Sequence, residues 1–227
     1  MEERALRLHR EALVVDTHCD TLQCLFSGRS SPPITPLRIE SGLGNRSDKG
    51  HLDIPRMVDG GVDCQIFAVF AAPEAHPLRP LNVALQLIDI FYKECEKNAD
   101  RIIPVCSYDE IIAANRDGKI AAMLSMEGGE ALEGKLGVLR ILYKLGVRMM
   151  SLTWNWRNEL ADGVGEEGTT GGLSNFGVKV VEEMNRLGMI IDVSHLSDAG
   201  FWSLMNIVKV PVIASHSNCR ALCDHRR

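Results

Sequence analysis

Short apolar runs alternate along the chain with longer stretches of helical period. The runs Ala12–Asp16, Asp63–Ala71, Ala121–Ser125, Arg148–Thr153, Met189–Val193 and Pro211–Ser215 are nearly continuous in apolar residues. That pattern predicts strands covered on both faces, as in parallel sheets. Between them, Leu81–Lys97, Tyr108–Asn115, Leu136–Leu145, Asn175–Leu187 and Ser197–Val208 carry the spacing of helices. In the fourth of these, Phe176, Val180, Val181, Met184 and Leu187 fall on one stripe, and Gly188 follows as a C-cap.

Strands alternating with helices predict βαβ units and an α/β fold with a parallel sheet. Either an open doubly wound sheet or a (β/α)8 barrel satisfies that order. Polar residues decide between them: His18 with Asp20, then Glu127, His195 and His216, each fall just past the C-terminal end of a different predicted strand. An open sheet gathers ligands mainly at one switch point, whereas a barrel brings many strand ends to one mouth. The expectation is therefore a TIM-barrel-like domain over residues 1–227, incomplete at about six of eight strands, because the last predicted strand ends only twelve residues before the C-terminus. Two unpaired sheet edges would remain for another segment, a partner chain such as a second copy in a homodimer, or a rearrangement to cover. Residues 27–61, rich in Pro, Gly and Ser, read as an irregular excursion. The Gly-rich stretch 162–172 contains neither a P-loop nor a dinucleotide fingerprint.

Composition narrows the function classes. Twenty-five Lys and Arg against 30 Asp and Glu leave a net charge of −5 without a basic block, which argues against nucleic acid as a partner. No run approaches the ~18 apolar residues of a membrane span, and the mixed charges at the start do not read as a secretory signal. Seven scattered cysteines without a CxxC pair read as reduced thiols in a cytoplasmic protein. The spacing of His216, Cys219, Cys223 and His225 also admits a small structural zinc knuckle.

In an extended segment, residues two apart share a side, so His18 and Asp20 can converge while Cys19 points away. Taken alone, that pair also admits a structural reading, an Asp capping the next helix and a His bonded to backbone. Glu127 alone reads equally as a loop acid, and His195 or His216 as a core histidine. Brought to one mouth, the five form a set of N and O ligands suited to Zn²⁺, with Mn²⁺ or Co²⁺ as alternatives. Five protein ligands are too many for one catalytic zinc with an open position, but they suffice for two ions bridged by a carboxylate. Paired ions of this kind activate water for amide hydrolysis.

The segments VVDTHCDTL, HLDIPRM, GGVDCQIFAVF, LSMEGGEAL, GGLSNFGVKVVEEMNRLGMIIDVSHLSD and PVIASHSNCRALCDH resemble the membrane (renal-type) dipeptidase family of zinc metallopeptidases over essentially the whole chain. The resemblance implies a (β/α)8 barrel with two Zn²⁺, one held by His18 and Asp20, the other by His195 and His216, and Glu127 bridging them. It also implies hydrolysis of dipeptides by a metal-activated hydroxide, with Arg227 holding the substrate carboxylate. Tolerance for D residues at the second position, and action on β-lactam-like amides, are further implications. Three departures stand out. Trp154 occupies the position of a family histidine that assists the substrate carbonyl, with Asn155 the neighbouring polar residue. The ending His225-Arg226-Arg227 has Arg where the family has Pro. The family's proton-handling acid lies beyond residue 227. A catalytically silent metal-binding fragment is the alternative expectation.

Overall fold

The computed structural model describes residues 2–26, 39, 41–71, 79–166 and 168–226. Its elements run α1 (Glu2–Glu11), β1 (Val15–Cys19), α2 (Thr21–Leu25), α3 (Ile54–Asp59), β2 (Cys64–Phe70), α4 (Pro80–Lys97), β3 (Ile102–Pro104), α5 (Tyr108–Arg116) and β4 (Ile120–Glu127). A 3₁₀ turn (Glu130–Leu132) leads to α6 (Leu136–Lys144), β5 (Val147–Ser151), α7 (Asn175–Leu187), β6 (Ile190–Asp192) and α8 (Asp198–Met205). The sheet order is β1-β2-β4-β5-β6, with β3 paired to β4. β1 with β2, β3 with β4, and β5 with β6 all run parallel. This is the expected α/β fold, a parallel sheet of five strands in chain order with β3 joined to β4, consistent with an incomplete (β/α)8 barrel. Among the described residues, no helix is long and apolar enough to cross a membrane.

Contacts divide the chain into two compact units. The first comprises Met1–Val69 and Gln86–Leu124. Its core contains Leu22, Ile54, Met57, Phe67, Leu87, Phe91 and Ile102, with Phe67 and Phe91 packed edge to face at 5.7 Å. β2 is buried along its whole length, Gln65 included, as its nearly continuous apolar run requires. β1 differs from expectation: it starts at Val15 and not Ala12, so His18 lies inside the strand. The polar half of VDTHC is taken into the strand because pairing with β2 sets the register, Val15 opposite Cys64 and Asp16 opposite Gln65, before an irregularity between Asp16 and Cys19. β3 was not expected, since three residues are too few for a periodic signal. α3 interrupts the segment expected to be irregular, started by Asp53, whose carboxylate accepts the Arg56 N–H at 2.8 Å. Residues 27–38 and 40 of that segment lie outside the described residues.

The second unit comprises Phe70–Leu85 and Ser125–Arg227. Leu139 and Leu142 of α6, Val180, Val181 and Met184 of α7, and Met149 and Met150 of β5 are all essentially buried. The predicted stripe of α7 therefore faces the core, with Phe176 and Leu187 at its margin. Ser174 caps α7 by accepting the Gly177 N–H at 2.9 Å, and Gly188 ends it in the left-handed region at φ +72°. The strand expected at 211–215 is reduced to a single parallel bridge, Asp192 to Ile213. Pro211 has no N–H for a ladder, and residues 211–215 are exposed or half-buried, so no covered strand can form there.

Candidate metal centre

Three side chains of the second unit converge. Glu127 is the last residue of β4, where Gly128 turns the chain at φ +81° and donates its N–H to Ser151 Oγ at 3.0 Å. That turn leaves the Glu127 carboxylate 6% exposed at the strand end, and so not a solvated loop acid. His195 follows β6 in the left-handed region at φ +69°, a conformation that strains a residue with a side chain by about 1–3 kcal/mol. Its carbonyl accepts the Val164 N–H at 2.8 Å and the Thr153 hydroxyl at 3.2 Å, which hold it there. The result aims a ring that is 2% exposed at Glu127: Nε2 lies 2.9 Å from Oε1. His216 Nε2 lies 3.5 Å from the same oxygen and 2.7 Å from His195 Nε2.

Each imidazole is fixed from behind. Nδ1 of His195 lies 2.8 Å from Asn155 Oδ1, an acceptor for the tautomer protonated at Nδ1, which is the tautomer that leaves the Nε2 lone pair to bind an ion. Nδ1 of His216 lies 2.7 Å from Ser215 Oγ. Orienting partners of this kind accompany metal-bound histidines. Donors bound tetrahedrally to zinc at ~2.0–2.1 Å stand about 3.3 Å apart, close to the 2.7–3.5 Å gaps among these three atoms. Two imidazoles and a buried carboxylate, oriented in this way, fit a divalent ion.

In the first unit, His18 and Asp20 also converge, Nε2 to Oδ2 at 3.5 Å. Asp20 stands at the N-cap position of α2, yet its side chain makes no capping bond. The structural reading of that aspartate therefore fails. One carboxylate oxygen accepts from Gln23 Nε2 at 3.3 Å.

Arg227 lies outside the described residues. The knuckle reading of the C-terminal cysteines finds no support: among the described residues, no potential metal-holding group includes Cys219, Cys223 or His225. Burial pushes the thiols of Cys64 and Cys95 up to about 11 and about 12, so they stay protonated near neutral pH and act as packing groups. Trp154 packs its indole on Phe70, 5.1 Å between ring centroids, and lies 6.2 Å from the His195 ring. Asn155 is committed to His195. Sequence reasoning missed that bond and also missed Asp192, which closes the apolar run of β6. An acid at the end of a buried run was the available signal.

A sequence model of the membrane dipeptidase family, peptidase family M19, matches residues 2–227. The chain belongs to the membrane dipeptidase family. It is 33% identical to mouse dipeptidase 3 over 99% of the chain and 45% of that protein. It is 35% identical to dipeptidase aclJ of Aspergillus oryzae over 78% of the chain and 44% of that protein. The chain thus spans about half the length of the curated relatives it matches. Among solved structures, the probable dipeptidase PvdM from Pseudomonas aeruginosa superposes with a TM-score of 0.80 at 26% identity, covering 99% of this chain and 57% of that one. A metallo peptidase from Rhodobacter sphaeroides, liganded with a phosphinate mimic of the dipeptide L-Ala-D-Ala, gives 0.77 at 26% identity, over 92% and 66%.

Proposed function

We propose that this member of the dipeptidase family is a zinc-dependent enzyme that hydrolyses dipeptides. The observation that carries the reading is the convergence of His195 Nε2, His216 Nε2 and Glu127 Oε1 within 2.7–3.5 Å, with both Nδ1 atoms held from behind. In this reading residues 1–227 form one barrel-type domain with a binuclear centre. His18 and Asp20 hold one ion, His195 and His216 hold the second, and Glu127 bridges them. Zn²⁺ is the first choice for this N and O set, ahead of Mn²⁺ or Co²⁺. When bound, such ions supply a water deprotonated near neutral pH and polarise the scissile carbonyl.

The chain's own residues position and exclude. Asn155 and Ser215 keep the two imidazoles turned so that their Nε2 lone pairs face Glu127. The Trp154 indole, packed between Phe70 and His195, supplies a wall and one N–H donor but no titratable proton, so it cannot replace a histidine as an acid. Arg227 is proposed to bind the free carboxylate of the substrate. The R. sphaeroides relative, solved with a dipeptide mimic, supports a dipeptide as the substrate class.

The test is release of free alanine from L-Ala-L-Ala and L-Ala-D-Ala by the 227-residue protein supplied with Zn²⁺. We expect turnover that a chelator abolishes and that Glu127→Gln lowers by more than about 100-fold. Stoichiometric zinc binding without turnover of any dipeptide would instead establish the silent metal-binding alternative.

A further inference from the structure

Asp192 ends β6 with its side chain buried, 2% exposed, and has no ion pair among the described residues. Three donors face it. Oδ1 accepts the backbone N–H of Ser194 at 2.9 Å and that of Ser215 at 3.0 Å. Oδ2 accepts the hydroxyl of Ser215 at 2.5 Å. One carboxylate therefore joins the turn leading to His195 and the segment carrying His216. Ser194 reinforces the junction, its Oγ accepting the backbone N–H of His216 at 3.1 Å and the hydroxyl of Ser217 at 3.2 Å.

The direction of the hydrogen bonds follows from counting protons. An ionised carboxylate only accepts, so the single hydroxyl proton of Ser215 points at Asp192. Ser194 Oγ, already accepting two hydrogen bonds, gives its own proton to Ser215 Oγ 3.2 Å away, so Ser215 Oγ also accepts from His216 Nδ1 at 2.7 Å and the imidazole proton sits on Nδ1. We infer that Asp192 is a positioning residue for the centre: through Ser215 it sets the tautomer of His216, keeping Nε2 unprotonated toward Glu127. The inference rests on the metal-centre reading above, since an unprotonated Nε2 matters only where that nitrogen must bind an ion.

The relay makes an unusual prediction for Asp192→Asn. The carboxamide oxygen can still accept both backbone N–H groups, so the junction is kept. Its NH₂ group, however, now donates to Ser215 Oγ, which turns the hydroxyl proton toward His216 Nδ1 and drives the imidazole proton to Nε2. Ser215→Ala removes the hydroxyl through which that reversal passes.

The experiment is competitive Zn²⁺ titration of the 227-residue chain as wild type, Asp192→Asn, Ser215→Ala and the double variant, with thermal unfolding of each metal-free protein. We expect Asp192→Asn to lose ~10–100-fold in zinc affinity, the range for an orienting partner of a ligand. Ser215→Ala should lose less, and the double variant should bind as Ser215→Ala does, recovering affinity relative to Asp192→Asn alone. Losses that add in the double variant, or that follow the metal-free melting temperatures, would overturn the relay and leave Asp192 as a brace only. Unchanged zinc affinity in Asp192→Asn and Ser215→Ala would overturn it as well. Failure of the wild type to bind zinc would overturn the metal-centre reading, and this inference with it.

Discussion

At the scale of single residues, the centre depends on which nitrogen of each imidazole carries a proton. Asn155 sets this for His195 through one bond at 2.8 Å, beneath a ring that is almost fully buried and whose backbone is already strained. Truncation to Asn155→Ala leaves Nδ1 without that acceptor. Zinc affinity should fall by about 10–100-fold, measured by competition with a chromophoric chelator, while the metal-free melting temperature changes little. An unchanged affinity would mean that the left-handed backbone alone aims the ring. The five ligand candidates were legible in the sequence because each stands at the end of an apolar run. Their supports were not: Asn155 is remote from His195 in sequence, and its bond depends on how the chain after β5 folds back. Trp154 was legible as a departure, but its packing on Phe70 was not.

At the scale of elements, the helices of the second unit are fixed by close backbone packing and by ion pairs between them. Gly177 in the first turn of α7 sits so close to the Leu160 carbonyl that an added Cβ would lie 2.2 Å from its oxygen. Backbone cannot yield as a flexible side chain can, so Gly177→Ala should destabilise the protein by about 1–3 kcal/mol, read from denaturant unfolding. α7 is also tied to α6: Glu183 accepts from Arg186 at 2.7 and 2.8 Å and from Arg140 of α6 at 3.2 Å. Those guanidinium bonds, Arg186 foremost, hold the Glu183 carboxyl down at about 2, against 4.5 for an unperturbed group. A depressed acid contributes stability above its unfolded value and loses it as the pH falls toward its folded value. The stability gap between wild type and Glu183→Gln should therefore be full at pH 7, shrink below about pH 4.5 and close near pH 2 in urea titrations. A gap independent of pH would contradict the assignment. The helices here were readable from their stripes and caps, α7 to the residue. The short β3 and the polar end of β1 were not, because their formation depends on pairing with neighbours and leaves no periodic trace.

At the scale of the whole molecule, the alternation of strands and helices was enough to give an α/β fold with parallel pairing, and the structure bears that out. The sixth expected strand was misplaced because an apolar run reads as a covered strand even where only one bridge forms. Family membership extends over residues 2–227, and the proposed function requires this chain to carry the metal centre of a dipeptidase. The most direct measurement is the metal content of the 227-residue protein after loading with zinc and exhaustive desalting, by elemental analysis on a monodisperse sample. About two zinc per chain are expected, falling on Glu127→Ala, the substitution that removes the shared ligand. A value near zero for the wild type, or one that Glu127→Ala leaves unchanged, would contradict it.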